Sequence, residues 1–355
     1  MPGPHLKILV LPLYGIGDVL MTTPALRNIK ERLGASVTYL HMFKTTRDIL
    51  IGNPHVDENI HFPFLDSGKV KNARFMLGFR GKYDVSINFY PSNRRDYNLA
   101  SFIAGSPLRI GHRYRVHDLR ELNFLKNRTF PEDDSLHNVE ENLRLLSFLG
   151  VKDPISYPME IYFSREEEGA AAQWLKERGI QAGGIIGFHP GTSVFKSHAR
   201  KRWAPEKFAA LIDRLSALYP GYKFLLFGGP EEASLKKEIK GKCASGDRVL
   251  EVNLPGIRQT ASVMKSCALF ITNDSGLMHL SAALQVPTVA IFGPTNPKWL
   301  FPWKCPSRVV RFDNGCAPCF RYSPVPMRCG AGQDFSCIEK IDVRDVLEAA
   351  ASLLN

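Results

Sequence analysis

Three clusters of residues carry types and spacings that do chemistry. In LPLYGIGDVLMTTPAL, residues 11–26, an apolar run from Ile8 to Leu13 stops at Gly15-Ile16-Gly17 and an apolar pattern restarts after Asp18. This reads as strand, glycine turn and helix. Such turns ordinarily receive a phosphate on the free N–H groups of the helix start, yet an aspartate there would repel one. The stretch fails as a dinucleotide fingerprint, because Leu20 stands at the third glycine position, and as a P-loop, because no Gly-Lys-Ser/Thr follows. Two readings stand. Asp18 is an N-cap accepting a backbone N–H, or it is a general base aimed at an acceptor hydroxyl. The helix dipole favours the ionised carboxylate that a base requires.

In ITNDSGLMHLSAALQVPTVAIFGPTNP, residues 271–297, a strand ends at Asn273-Asp274-Ser275-Gly276 and a helix follows with His279 one turn in. Ser275 and Gly276 leave N–H groups at a helix start with no bulky side chain in the way, which suits a pyrophosphate. The next strand ends in another glycine turn, Phe292-Gly293-Pro294-Thr295. A capped, buried helix without a ligand, with His279 as a core histidine, is the plain alternative. The third cluster is Cys316-x2-Cys319-x9-Cys329-x7-Cys337. That spacing would serve a tetrahedral thiolate site for a structural zinc or iron; small buried thiols or a local reducible bridge are the alternatives. No Asp-x-Asp pair stands where a metal could bridge a diphosphate, and Asp133-Asp134 fall in a polar loop.

The elements that must position these groups alternate along the chain. Strand-like runs stand at 8–13, 36–41, 84–89, 184–191, 223–229, 269–274 and 288–293, with helical patterns between them. Phe208, Leu211, Ile212, Leu215 and Leu218 share one helix face, with Pro205 near its start. Ser164 to Glu167 has capping-box spacing. Near-continuous apolar strands separated by helices predict parallel sheets covered on both sides. The alternation pauses at 151–164, which holds two prolines and no periodicity, and this passage is read as the link between two α/β domains. The predicted division is residues 1–163, residues 164–340, and a closing amphipathic helix at 341–355 with a stripe from Val343 to Leu354. Two doubly wound domains would place the C-terminal ends of their strands around a shared cleft.

The 355 residues are 44% hydrophobic and 23% charged, ordinary for a soluble globular protein and long enough for two domains. No apolar stretch approaches the roughly 18–20 residues that span a bilayer, and MPGPHLKILVLPL lacks the features of a signal peptide. Seven cysteines without an export signal argue against a disulfide framework. A cytoplasmic protein is expected. The net charge of +11 points to an acidic partner. Residues 94–128 hold eight basic side chains against Asp96, Asp118 and Glu121, a net of +5. Anionic lipid headgroups or phosphorylated sugars would fit, as would a solvated basic face; no nucleic-acid motif is present.

Gly-x-Gly-Asp-Val with Thr-x-Pro-Ala-Leu, then Asn-Asp-Ser-Gly-x-x-His-x-x-Ala-Ala-Leu and Phe-Gly-Pro-Thr, resembles the heptosyltransferase family, glycosyltransferase family nine. The likeness extends through an Arg109-Ile110-Gly111-His112 turn, the His137-Asn138…Asn142 helix entry, His189-Pro190-Gly191, Lys201-Arg202-Trp203 and Gly228-Gly229-Pro230-Glu231-Glu232. It implies an α/β, GT-B fold of two Rossmann-like domains facing a central cleft, with the nucleotide sugar in the C-terminal domain. Asp18 matches the family's proposed base. Asp274, Ser275, Gly276 and His279 match the donor turn, Thr192 and Ser193 polar residues near the donor phosphates, and Glu232 the acid that holds the ribose. Lys201 matches the lysine that neutralises the leaving diphosphate, although Lys196, Arg200 and Arg202 compete for that role.

The resemblance thus implies heptose transfer from an ADP-activated donor to a lipopolysaccharide core, with inversion and no cofactor required for catalysis. Acceptor-side candidates are Gly17, beside Asp18, and Asn93, Arg94, Arg95, Arg113 and Arg115 from the basic stretch. A lipid-linked anionic acceptor would bring the enzyme to the inner face of the cytoplasmic membrane as a peripheral protein, with nucleic acid excluded as a partner. The alternatives are a related GT-B transferase with another nucleotide sugar or a protein acceptor, a dinucleotide-dependent oxidoreductase, and a non-catalytic nucleotide-sugar binder.

Overall fold

The computed structural model describes residues 5–193, 195–320, 322, 327–332 and 334–354, with the side chains of 195–197 outside that set. It divides into two compact units, one holding the chain up to Tyr162 together with Tyr322, the other beginning at Phe163.

In the first unit, β1 (Lys7–Val10), β2 (Ser36–His41), β3 (Glu58–His61), β4 (Val85–Ile87), β5 (Leu108–Arg113) and β6 (Arg128–Pro131) make one parallel sheet. Its order is β3-β2-β1-β4-β5-β6. The helices are α1 (Ile16–Leu20), α2 (Thr23–Leu33), α3 (Lys44–Ile49), α4 (Lys69–Leu77), α5 (Arg95–Ala104) and α6 (Asn138–Arg144). Ile8, Leu9 and Val10 are fully buried, as a central strand covered on both faces demands. β1 is shorter than the apolar run around it; Leu11 still donates to the Ile87 carbonyl at 2.9 Å, and Pro12 then offers no N–H to continue the ladder. On one face Leu9, Leu11 and Leu40 pack with Met76 of α4 and Ala104 of α5. Residues 151–162 form neither helix nor strand and lie along α2, where Asn28 exchanges two hydrogen bonds of 2.8 Å with the backbone of Ile155.

The second unit repeats the plan with β7 (Ile185–His189), β8 (Lys223–Leu226), β9 (Val249–Glu251), β10 (Leu269–Asn273), β11 (Thr288–Phe292) and β12 (Ser307–Arg311) in the order β12-β11-β10-β7-β8-β9. Its helices are α7 (Arg165–Lys176), α8 (Pro205–Leu218), α9 (Ala233–Lys242), α10 (Ile257–Met264), α11 (Gly276–Ala283), α12 (Pro297–Leu300), α13 (Ser336–Glu339) and α14 (Val343–Leu354). Ser164 caps α7 in a capping box with Glu167, and Pro205 opens α8 where its missing N–H is harmless. Phe208, Leu211, Ile212 and Leu215 of α8 join Val346 and Ala350 of α14 in one core.

Strand order reverses between β1 and β4 in the first unit and between β7 and β10 in the second. In doubly wound sheets the crevice at the C-terminal ends of such strands is where ligands bind. Asp18 follows β1; Thr192 follows β7 and Ser275 follows β10. One expectation fails here: Arg109-Ile110-Gly111-His112 is not a turn but the body of β5, its charges alternating with buried Ile110 and His112.

Candidate active site

Gly15 is the N-cap of α1, and Asp18 occupies its third position, where Oδ2 accepts the Gly15 N–H at 3.1 Å. The aspartate therefore caps the helix from inside it and not from the N-cap itself, a correction to that reading of the turn. Its side chain is only partly exposed. Burial pushes the Asp18 carboxyl up to about 6, the Gly15 N–H opposing the shift. The charge in turn adds to the burial that raises the Tyr39 and Tyr97 phenols. Above the Tyr14 ring, at 5.1 Å, lies the Arg94 guanidinium, which also faces Tyr97 at 5.9 Å.

The acceptor-side candidates separate in the structure. Gly17 is buried within α1, next to Asp18. Arg94 stands by the tyrosines around Asp18. Asn93 is buried and spent on structure, donating to the Val116 carbonyl at 2.9 Å and accepting from Asn123 at 2.8 Å. Arg95 donates to the Arg120 carbonyl at 3.2 Å. Arg113, the last residue of β5, is paired with Asp118 and Arg115 with Asp134, the partners lying in the loops past β5 and β6.

In the second unit the register sets His189 opposite Thr272, so the end of β7 meets the end of β10. His189 shares a hydrogen bond of 2.9 Å from Nδ1 to Ser275 Oγ, and its Nε2 lies 3.2 Å from Glu232 Oε2. Glu232 also accepts the Gly229 N–H at 3.0 Å, and Arg202 approaches its other oxygen at 3.8 Å. Burial alone would raise this carboxyl, but His189, the Gly229 N–H and Arg202 outweigh it and hold the group below the usual carboxylate range. The space it fills belongs to a missing side chain: a Cβ on Gly191 would lie 1.4 Å from Glu232 Oε1.

Ser275 is the N-cap of α11, and its side chain caps no backbone N–H of that helix. Asp274 and Lys201 form a buried pair at 2.6 Å. Burial raises the Asp274 carboxyl, while Lys201, with a smaller share from His279, drives it net downward. His279 is buried and pushed down to about 4, first by burial, with Asp274 opposing; its Nδ1 has no hydrogen-bond partner. Thr192 donates to the His198 carbonyl at 2.9 Å, and Arg202 donates to the Thr192 carbonyl at 2.8 Å. Ser193 is exposed at the end of the same turn. Among the competing cations Arg200 is exposed and paired with Asp334, and the side chain of Lys196 lies outside the described residues. The structure thus brings Thr192, Arg202, Glu232, His189 and Ser275 into one bowl, beside the Lys201–Asp274–His279 group.

The sequence profile of glycosyltransferase family 9 (heptosyltransferase) matches residues 80–326. The chain belongs to glycosyltransferase family 9. It is 27% identical over 325 residues to lipopolysaccharide heptosyltransferase 2 of Escherichia coli K12, covering 87% of this chain and 89% of that protein. The crystal structure of the family 9 glycosyltransferase from Veillonella parvula superposes with a TM-score of 0.82 at 24% identity, over 99% of this chain and 97% of that one. E. coli heptosyltransferase WaaC with ADP-2-deoxy-2-fluoro heptose superposes with a TM-score of 0.66 at 21% identity, over 86% of this chain and 93% of that one. The two α/β units carry the GT-B architecture of this family, and the chain is a glycosyltransferase.

The sequence left three readings of the four late cysteines of this family 9 enzyme: a thiolate metal site, small buried thiols or a local reducible bridge. Among the described residues no cysteine forms a disulfide, and no group of three or more His, Cys, Asp or Glu side chains is gathered closely enough to hold a metal ion. Burial, then the neighbouring Cys319, Cys316 and Cys329, push the Cys337 thiol up to about 11. Sequence reasoning passed over Tyr39, Tyr97 and the active placement of His189. The tyrosines lie in an apolar strand and a helix, where an aromatic reads as core. Among the described residues no helix is long and apolar enough to cross a membrane.

Proposed function

We propose that this enzyme transfers a heptose from ADP-heptose to the core of a lipopolysaccharide, with inversion at the anomeric carbon. The observation that carries the reading is Asp18: a partly exposed carboxylate at the β1 switch point, held by one backbone N–H and raised to about 6. Such a group is ionised at neutral pH yet basic enough to take a proton. In the reaction Asp18 accepts the proton of an acceptor hydroxyl as that oxygen bonds to the anomeric carbon. The bond from that carbon to the diphosphate oxygen breaks on the opposite face, and ADP leaves with the electron pair. One carboxylate and in-line displacement give inversion.

The second unit supplies the donor contacts. The open amides at Ser275 and Gly276 and the Thr192–Ser193 turn face the diphosphate, where fixed donors stabilise growing charge. Lys201 spends one of its three protons on Asp274 and keeps two for phosphate oxygens. Glu232, anchored by His189 and Gly229, offers its carboxylate to the ribose hydroxyls. Arg94, over the Tyr14 and Tyr97 rings, is the cation assigned to the acceptor. In this reading Asp18 and the amides carry the chemistry. The ADP and lipopolysaccharide assignments rest on the named relatives and the resemblance in sequence. An acceptor embedded in a membrane would bring the enzyme to the lipid surface of the cytoplasmic side.

Titration with ADP, UDP, GDP and NAD should give tightest binding for ADP. With ADP-heptose and a core acceptor, Asp18→Asn should lower kcat by on the order of 10² to 10⁴ while ADP affinity holds. Asparagine still accepts the Gly15 N–H, so the substitution separates base from cap. Unchanged turnover would return Asp18 to a purely structural role, and preference for NAD would end the transferase reading.

A further inference from the structure

One face of the first unit is built from α4, α5 and the loop that leads into the 3-10 turn Asn123–Leu125. These pieces are contiguous: α4 packs on α5, and α5 on the turn. The loop is tied to the start of α5, where the Arg95 N–H donates to Glu121 at 2.9 Å and Asn98 to the Glu121 carbonyl at 2.6 Å. At the other end Arg80 packs over Gly105. On α4, Val70, Arg74 and Leu77 recur at i, i+4 and i+7 and therefore share a stripe; all three are exposed, while Met76 faces the core.

Large apolar side chains stand out along this face. Val70 is 85% exposed, Leu119 69% and Phe124 54%, and Phe102 of α5 is also exposed. A single exposed leucine needs no explanation, but a set of them on one surface does. Cations interleave them: Lys69, Lys71 and Arg74 on α4 and Arg120 in the loop, against the exposed acids Asp66 and Asp96. Apolar tips set among lysine and arginine match one partner by charge and chemistry, the headgroup and upper acyl region of an anionic bilayer. Nucleic acid would reward the cations alone and leave Val70, Leu77 and Leu119 in water.

We infer that this α4–α5 face docks on an anionic lipid surface, with Val70, Leu77, Leu119 and Phe124 entering the headgroup boundary. The inference names the surface behind the membrane contact proposed above and rests on that reading only for its biological setting. It is tested without donor or acceptor, by co-sedimentation of the full chain with vesicles of equal parts phosphatidylglycerol and phosphatidylcholine, and of phosphatidylcholine alone. Binding is expected to the first and not the second, and to weaken as salt is raised. Replacing Lys69, Lys71 and Arg74 by glutamine should weaken it by roughly 10²-fold, and Val70→Asp with Leu119→Asp should weaken it again. The same charge change at Lys176, Lys237 and Lys340 of the second unit should leave it unaltered. ADP affinity, measured on every sample, should not move; it reports on the transferase reading separately and on folding. No binding to anionic vesicles, equal loss in the second-unit control, or capture of duplex DNA in place of vesicles would each overturn the assignment.

Discussion

Asp18 gives one carboxylate two partners in time: a backbone N–H at 3.1 Å in the resting enzyme and a hydroxyl proton in the reaction proposed for it. The same environment sets its pH behaviour. Burial raises its pKa from 3.8 to about 6, so the rate should rise through pH 6 as the base ionises, and that limb should vanish in Asp18→Asn. Stability follows the opposite sign. The folded carboxyl binds its proton more tightly than the unfolded one, so ionising it above pH 6 costs the fold. Asp18→Asn should therefore be more stable than the parent by roughly 1–2 kcal/mol at pH 7 to 8 after allowance for partial exposure. The gain should disappear below the unfolded value of 3.8. Denaturant titration across that range would show it, and a variant less stable at every pH would contradict the burial argument.

At the scale of elements, α8 reaches the His189–Ser275 cluster through one tryptophan. Trp203 stacks edge-on against Phe208 at 5.0 Å and sends its indole N–H to the Ile341 carbonyl at 3.0 Å. Its own amide donates to Asn273 at 3.1 Å, and Asn273 donates to the Pro190 carbonyl at 2.7 Å. One side chain thus locks the end of β10 to the turn after β7. Asn273→Ala should weaken ADP binding at least 10-fold while the enzyme stays folded, since it frees the Gly191–Ser193 turn; calorimetric titration would check it. Phe208→Ala, by contrast, should cost about 3–5 kcal/mol of stability. The central strands were legible because both faces are buried and their residues are largely apolar: β7 (IIGFH) and β11 (TVAIF) lie within the runs that the sequence marks as strands. The edge strands were not. β3 (ENIH), β6 (RTFP), β9 (VLE) and β12 (SRVVR) are half-exposed and polar, so their pairing is set by the neighbouring strand and leaves little periodicity to read.

Across the whole molecule the two units share a strand order, and each has its candidate residues at the equivalent switch point. A glycine turn in sequence marked the end of a central strand in both, at Gly15-Ile16-Gly17 and at Ser275-Gly276. The base candidate could be found from an acid where a phosphate would sit. The tyrosines that feel its charge could not, because Tyr39 and Tyr97 are brought near Asp18 from β2 and α5. Likewise Lys201 was legible as a cation near the donor turn, but its commitment to Asp274, 73 residues on, is a product of the fold. The division of labour predicts an asymmetric response to nucleotide. Saturating ADP should slow amide hydrogen exchange at 189–193, 228–232 and 273–279, with the β1–α1 turn unchanged. At 100 times Kd it should stabilise the protein by about 2.7 kcal/mol. Protection confined to residues 15–20 would reverse the roles of the units.

The vacancy at Gly191 ties two distant positions into one hereditary unit. Since any β-carbon there would displace the Glu232 carboxylate, Gly191→Ala should leave a folded protein whose acid has swung off His189, with ADP affinity reduced. In a Glu232→Ala background the same methyl should be silent, because its obstacle is gone. Measured as a double-mutant cycle, that epistasis would mean descendants of this chain can explore residue 191 only after surrendering residue 232.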